Sequence, residues 1–138
     1  MIIAVDFDGT IVEEAYPAIG KPVPFAIEVL KRLQEEEHHQ LVLWTVREGK
    51  LLEDAVQYCR GRGIEFYAIN SLFPGEVDFE ISRKIAADVF IDDRSIGGLP
   101  DWGLIYRMIT KNETWETIFA MQNELPKGKK GFFKKLFT

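Results

Sequence analysis

Met-Ile-Ile-Ala-Val-Asp-Phe-Asp-Gly-Thr (residues 1–10) opens the chain and carries the clearest indication of its fold. Residues 2–5 are a short, continuous apolar run, which is typical of a strand buried on both faces of a parallel sheet. The run ends at Asp6 and Asp8, two carboxylates one residue apart, and Gly9 then indicates a turn. Open α/β folds bind ligands at the carboxyl edge of the sheet, so we expect both carboxylates to face one pocket there. Two negative charges at such a short distance repel each other, which indicates a divalent cation or a shared proton between them.

The composition is that of an ordinary globular protein. A chain of 138 residues, 46% hydrophobic and 28% charged, is long enough for one α/β domain with its own core. The single Cys59 excludes an intrachain disulfide and fits a reducing compartment. No apolar run approaches the roughly 20 residues of a membrane span, and no signal peptide precedes the first predicted strand. We therefore expect a cytoplasmic protein without stable membrane insertion.

Charge is distributed unevenly along the chain. The net charge is −5, yet residues 126–138 carry five lysines and no acid. We predict one catalytic domain over residues 1–125 and a flexible basic tail over residues 126–138. The domain carries 12 Lys and Arg against 22 Asp and Glu. Such an acidic body is a poor match for nucleic acid, because nucleic-acid binding depends on neutralising phosphates, and we expect no nucleic-acid partner.

Apolar runs and amphipathic segments alternate after the first strand. Further strands are predicted at 41–43, 66–69 and 89–91. One helix is predicted after Pro22 and Pro24, and a second is predicted to end near Gly61. Their apolar stripes are Phe25, Ala26, Val29, Leu30 and Leu33 for the first, and Leu51, Leu52, Ala55, Val56 and Cys59 for the second. This alternation predicts βαβ units in a doubly wound, Rossmann-like parallel sheet with helices on both faces.

The sequence after Gly97-Gly98 favours two more helices. Asp101 is a suitable cap for the first of them, although the same region is also compatible with an edge strand at 104–106. Thr110 and Glu113 have the spacing of a capping box, which predicts the start of the last helix.

Polar groups suited to phosphoryl chemistry follow the predicted strands. They are Asp6 and Asp8 after the first strand, Thr45 and Arg47 after the second, Asn70 after the third, and Asp92 and Asp93 after the fourth, with Lys84 ahead of that fourth strand. The ends of adjacent parallel strands lie side by side, so one pocket would collect several carboxylates, a hydroxyl and an ammonium group. Hard oxygen ligands of this kind indicate Mg²⁺.

The order and spacing of these residues resemble the four signature motifs of the haloacid dehalogenase superfamily, and the resemblance covers residues 1–93. It implies that Asp6 is a nucleophile that becomes an aspartyl phosphate, and that Asp8 is the general acid and then the general base. It also implies that Thr45 and Lys84 hold the phosphoryl group. The implied Mg²⁺ ligands are Asp6, the carbonyl of Asp8 and Asp92, with Asp93 supporting them. A second acid at Asp8 favours phosphate esters over halogenated substrates.

Several of these positions have simpler interpretations. An isolated Asp-Gly pair most often marks a turn, and Thr45 alone would only terminate a strand. Arg83 is adjacent to Lys84, so either could be the phosphate-binding cation. Three further residues at predicted strand ends are candidates for substrate contact: Gly9, Arg47 and Asn70.

The intervals between the motifs leave no room for a cap domain. Residues 11–43 hold a flap, one helix and one strand, and residues 46–83 hold only what the core requires. The chain therefore resembles the small capless members, which implies that a large substrate or a second copy in a homo-oligomer covers the site. We predict an Mg²⁺-dependent phosphohydrolase that cleaves a phosphate monoester. The alternatives are a phosphate- or metal-binding regulator without turnover and a phosphotransferase to an acceptor other than water. Nucleotides, sugar phosphates and phosphoproteins all remain open as substrates.

Overall fold

Four parallel strands order the part of the chain that the computed structural model describes, which is residues 1–71, 85–114, 116–118 and 120. The strands are β1 (Ile2–Val5), β2 (Gln40–Leu43), β3 (Ala68–Ile69) and β4 (Val89–Ile91), and the helices are α1 (Ala26–Glu35), α2 (Gly49–Arg60) and α3 (Trp102–Thr110). The sheet order is β3-β2-β1-β4, and every pair is parallel. The predicted α/β class and the predicted parallel sheet are confirmed.

The core lies around the two central strands, because their continuous apolar runs are buried on both faces. Residues 3–5 of β1 and residues 41–43 of β2 are at most 1% exposed. Cross-strand neighbours on one face form a cluster with the segment before β4, and its members are Ala4, Val42, Ala68 and Ile85. Helix α1 packs against β2 and buries Ala26, Val29, Leu30 and Leu33. Helix α2 buries Ala55, Val56 and Cys59. Burial of its apolar stripe is what holds α1 on the sheet.

The first helix begins later than its apolar stripe predicts. Phe25 is the residue before α1, its backbone is left-handed with a φ of 66°, and its side chain is exposed. The prediction that Phe25 belongs to the buried stripe is wrong, since a left-handed residue at this point lies outside the helix and its side chain does not share the buried face. Strand β3 is likewise shorter than predicted and contains only Ala68 and Ile69.

The region after Gly97-Gly98 forms the predicted helix, α3, and the alternative edge strand is not observed. The predicted capping box is wrong. Thr110 is the last residue of α3, and its hydroxyl donates to the carbonyl of Tyr106 at 2.8 Å. Thr114 provides the cap of the next turn instead, because its Oγ1 accepts a hydrogen bond from the backbone N–H of Thr117 at 3.3 Å.

The chain divides into two compact units, Met1–Gly103 and Leu104–Thr138. The first unit contains the sheet, α1, α2 and every predicted site residue that the structure describes. The second unit contains an ion pair between Arg107 and Glu113, with 2.9 Å between Nε and Oε2. The predicted tail at 126–138 lies outside the described residues. None of the helices described here is long and apolar enough to cross a membrane.

Candidate functional site

The register of the sheet brings the carboxyl ends of its strands to one edge. Val5 at the end of β1 lies opposite Leu43 of β2 and Ile91 of β4, and Leu43 lies opposite Ile69 of β3. Strands β2 and β3 lie on one side of β1, and β4 lies on the other side. The crevice between β1 and β4 is therefore a topological switch point, which is where open α/β sheets bind ligands. Asp6 and Asp92 are the residues that follow β1 and β4 at this crevice.

A cleft of about 740 Å³ opens at this edge of the sheet. Five predicted site residues line it together, namely Asp6, Asp8, Thr45, Asn70 and Asp92. Five further residues line the cleft without having been predicted from the sequence: Glu14, Tyr16, Trp44, Val46 and Arg94. Adjacency to a predicted site residue was an available signal for the last three, because each lies within two positions of Thr45 or Asp92. Glu14 and Tyr16 come from the flap and carry no comparable signal.

Three carboxylates crowd together beside the switch point. One carboxylate oxygen from each of Asp6, Asp92 and Asp93 lies within 4.8 Å of the other two. Burial raises the pKa of Asp6 from 3.8 to about 7, the negative charges of Asp92 and Asp93 add to this, and a hydrogen bond from the backbone of Phe7 opposes it. The cluster is thus unfavourable in its fully ionised form without a counter-charge.

Asp93 is held in this cluster by Thr10 and by the absence of a side chain at Gly9. The Thr10 hydroxyl donates to Asp93 Oδ1 at 3.2 Å and accepts from the Asp93 backbone N–H at 3.0 Å. Thr10 is itself fully buried, and its carbonyl accepts a hydrogen bond from the indole N–H of Trp102 at 3.0 Å. Gly9 has a φ of +80°, and a Cβ there would collide with Asp93 Oδ2. Gly9 is predicted to contact substrate. In the structure it lies against the Asp93 carboxylate, which occupies the space that a side chain at Gly9 would fill.

Thr45 and Asn70 form a second polar group at the ends of β2 and β3. The backbone N–H of Thr45 donates to Asn70 Oδ1 at 2.8 Å, and the backbone N–H of Asn70 donates to the carbonyl of Leu43 at 2.7 Å. The Thr45 hydroxyl oxygen accepts a hydrogen bond from the backbone N–H of Arg47 at 3.1 Å. A hydroxyl that accepts in this way keeps its own proton for donation. The Thr45 hydroxyl therefore has a proton to donate at the cleft that Thr45 lines, and Asn70 holds the backbone from which this side chain projects.

Arg47 is placed differently from its predicted contact with substrate. Its side chain is fully buried and forms a two-pronged ion pair with Asp8, in which Nε donates to Oδ2 and Nη2 donates to Oδ1, each at 2.7 Å. The side chain of Asp8 is 10% exposed and still lines the cleft. The carboxylate of Asp8 is not part of the acidic cluster, and the metal-ligand role that the resemblance implies for Asp8 is that of its backbone carbonyl. The ion pair raises the pKa of Arg47 above its ordinary value, chiefly through the hydrogen bond to Asp8.

The predicted phosphate-binding cation, Lys84, and its neighbour Arg83 lie outside the described residues. The choice between them stays a prediction.

The donor set of the acidic cluster fits Mg²⁺. Its three side chains offer only hard carboxylate oxygens. Two of them, Asp6 and Asp92, line the cleft, and Mg²⁺ is usually held by one or two carboxylates together with waters and substrate phosphate. The raised pKa of Asp6 points the same way, since a bound cation would favour the ionised carboxylate that burial and the neighbouring negative charges disfavour. Asp6, Asp92 and Asp93 are the residues that would hold the ion.

The fold and the site together define an α/β protein with a parallel sheet and an acidic cleft at its carboxyl edge. The solved structure of a conserved protein from Bacteroides thetaiotaomicron is similar to this chain, with 58% sequence identity and a TM-score of 0.82. The match covers 86% of this chain and 97% of that chain. This chain belongs to the same family as that conserved protein. No protein-family model and no curated protein matches the sequence.

Proposed function

We propose that the protein is an Mg²⁺-dependent phosphohydrolase that cleaves phosphate monoesters through an aspartyl phosphate on Asp6. The observation that carries this proposal is the acidic cluster of Asp6, Asp92 and Asp93 at the switch point of the sheet, with the Thr45 hydroxyl in the same cleft. It agrees with the resemblance of residues 1–93 to the haloacid dehalogenase superfamily. We include in the proposal a haloacid-dehalogenase-like fold without a cap domain. In its support, only residues 11–25 separate the first motif from α1, and α2 begins four residues after Thr45.

The first half of the reaction needs a nucleophile, an acid and a means of holding the transferred group. A carboxylate oxygen of Asp6 attacks phosphorus, and the bond between phosphorus and the ester oxygen breaks. Asp8, which lines the same cleft, gives its proton to the departing ester oxygen. Thr45 donates a hydrogen bond to a phosphoryl oxygen, and Lys84 is assigned to the same group by the resemblance. Bound Mg²⁺ would stabilise the negative charge of the phosphoryl group.

The second half returns the enzyme to its starting state. Asp8, now ionised, takes a proton from a water molecule whose oxygen attacks the aspartyl phosphate. The bond between Asp6 and phosphorus breaks, inorganic phosphate leaves, and Asp8 is protonated again. Asp6 thus acts as the nucleophile, and Asp8 acts first as the acid and then as the base. The reaction therefore needs two aspartates that reach the same cleft.

Hydrolysis of p-nitrophenyl phosphate, followed by a panel of nucleotides, sugar phosphates and phosphopeptides, tests this function. We expect turnover with Mg²⁺, loss of turnover in EDTA, recovery on adding Mg²⁺, and no turnover in folded Asp6→Asn. Asp54→Asn is the matched control, because Asp54 is a surface acid paired with Lys50 on α2. Protein quenched during turnover should carry a hydroxylamine-labile phosphoryl group that Asp6→Asn lacks.

Three results would overturn the proposed function in different ways. Binding of phosphate and Mg²⁺ without turnover of any ester in the panel would favour the regulatory alternative. Comparable turnover in wild type and Asp6→Asn would exclude the covalent mechanism. Transfer of the phosphoryl group to an added alcohol in preference to water would favour the phosphotransferase alternative.

A further inference from the structure

Arg47 is a buried cation whose hydrogen-bonding capacity is used up by the protein itself. A guanidinium group has five N–H donors in a fixed plane. Two of them form the fork to Asp8. The others reach backbone carbonyls: Nη2 donates to Ala18 at 2.8 Å, and Nη1 donates to Pro17 at 3.2 Å and to Leu51 at 3.5 Å. Because every donor is engaged, this side chain has no N–H left to bind a substrate phosphate.

The partners of Arg47 come from three different parts of the chain. Asp8 follows β1, Pro17 and Ala18 belong to the loop over residues 13–20, and Leu51 lies in the first turns of α2. Rings from two of these parts also pack on the guanidinium, whose central carbon lies 5.1 Å from the ring centre of Phe7 and 5.2 Å from that of Tyr16. Arg47 therefore connects the first motif, one wall of the cleft and a helix.

We propose that Arg47 is the positioning residue of the cleft, which orients the Asp8 carboxyl for proton transfer and fixes the loop over residues 13–20 as a wall. This rests on the proposed function. A carboxylate has about four lone-pair sites, and the fork occupies one on each oxygen. The remaining sites are available at the cleft, which Asp8 lines. The same guanidinium holds the carbonyls beside Tyr16, so the wall and the proton donor are fixed by one group.

Only arginine satisfies this geometry. The planar fork matches both carboxylate oxygens at once, whereas the lysine ammonium is a point charge that reaches one partner without fixing its plane. Arg47→Lys keeps the buried positive charge and loses the orientation. It therefore separates a positioning role from a merely electrostatic one.

The experiment compares two esters that share the phosphoryl group and differ in the leaving group. Glycerol phosphate has a poor alkoxide leaving group that needs a proton, and p-nitrophenyl phosphate has a good one that does not. We expect Arg47→Lys to lower kcat/KM for glycerol phosphate by about 10²-fold or more, the usual contribution of a positioned acid. For p-nitrophenyl phosphate we expect less than about a tenfold loss on the same reasoning. Asp8→Asn should show the same contrast, and Asp8→Asn combined with Arg47→Lys should be no slower than Asp8→Asn alone.

Cys59→Ala is the matched control for packing, since Cys59 is buried at the far end of α2 and should leave the ratio of the two esters unchanged. Thermal melting checks that each variant is folded, and Arg47→Gln, which retains a planar amide donor, replaces Arg47→Lys where that variant does not fold. Equal losses on both esters, or losses that multiply in the double variant, would overturn the positioning role alone. A wild-type protein that hydrolyses neither these two esters nor any ester of the panel with Mg²⁺ would overturn the proposed function and this role with it.

Discussion

Asp6→Asn should stabilise the metal-free protein, and the gain should grow with pH. Burial, with the charges of Asp92 and Asp93, raises the pKa of Asp6 from 3.8 to about 7. The folded state therefore holds this proton more tightly than the unfolded chain does, so stability is lost as pH rises from the lower pKa to the higher one. Each pH unit between the two values is worth about 1.36 kcal/mol, and the full cost of ionising Asp6 is on the order of 4 kcal/mol above pH 7. Asparagine has no proton to lose and avoids that cost.

Urea denaturation in EDTA measures this effect at two pH values. The same relation gives a loss of about 2–3 kcal/mol between about pH 5 and about pH 8 that wild type shows and Asp6→Asn does not. Asp54→Asn, which removes a surface acid on α2, should follow wild type. Adding Mg²⁺ at the higher pH should stabilise wild type, because an ion that binds only the folded state raises the free energy of unfolding. An identical pH dependence in wild type and Asp6→Asn would refute the unfavourable ionisation of Asp6.

Three further outcomes follow from buried contacts in the site and the core. Asp8→Ala should lower the free energy of unfolding by about 3–5 kcal/mol in urea denaturation, because it leaves the Arg47 guanidinium buried without a counter-charge; adding Arg47→Met should recover part of that loss, and no recovery would contradict the cause. Gly9→Ala should lower the free energy of unfolding by about 1–3 kcal/mol, because Gly9 has a positive φ that alanine adopts only with strain. The added Cβ should also displace Asp93, so calorimetry should show weaker Mg²⁺ binding, and unchanged binding would contradict this geometry. Burial raises the pKa of the Cys59 thiol to about 12, so a thiol reagent should modify Cys59 slowly in the folded protein and rapidly in urea. Rapid modification of the folded protein would show that the thiol is accessible.

The parts of the fold that the sequence predicts correctly are those that depend on local pattern. The run at residues 2–5 and the run at 89–91 became β1 and β4 with the predicted bounds. Both are continuous apolar runs bounded by polar residues, so burial alone defines their ends. The predictions that were wrong depend on backbone geometry. At Phe25 a left-handed backbone removes an apolar residue from its stripe, and at Thr110 a hydroxyl bonds back to the preceding turn instead of capping the next.

The candidate site divides in the same way. The residues at strand ends could be placed in one cleft from the sequence, because parallel strands in register bring their carboxyl ends to one edge. The partner of a long side chain could not be placed. Arg47 reaches Asp8 across 39 positions, and three of its other contacts are backbone carbonyls, which every residue has. No residue type or spacing in the sequence indicates which groups Arg47 contacts. These contacts depend on the path that the loop and α2 take in the folded protein.

The pairing changes how an Asp8 variant must be interpreted. Asp8 is proposed to transfer a proton, and the structure also makes it the counter-charge of a guanidinium that is fully buried. Removing the carboxylate therefore removes the chemistry and an ion pair whose loss is strongly destabilising. A fall in activity in Asp8→Ala contains both effects, so its rate has to be expressed per folded molecule. Asp8→Asn keeps an acceptor oxygen for one prong of the fork, but it also removes the negative charge and turns an amide N–H toward the other prong. Asp8→Asn combined with Arg47→Met removes the charges of both partners, so the double variant separates the loss of proton transfer from the cost of an unpaired buried guanidinium.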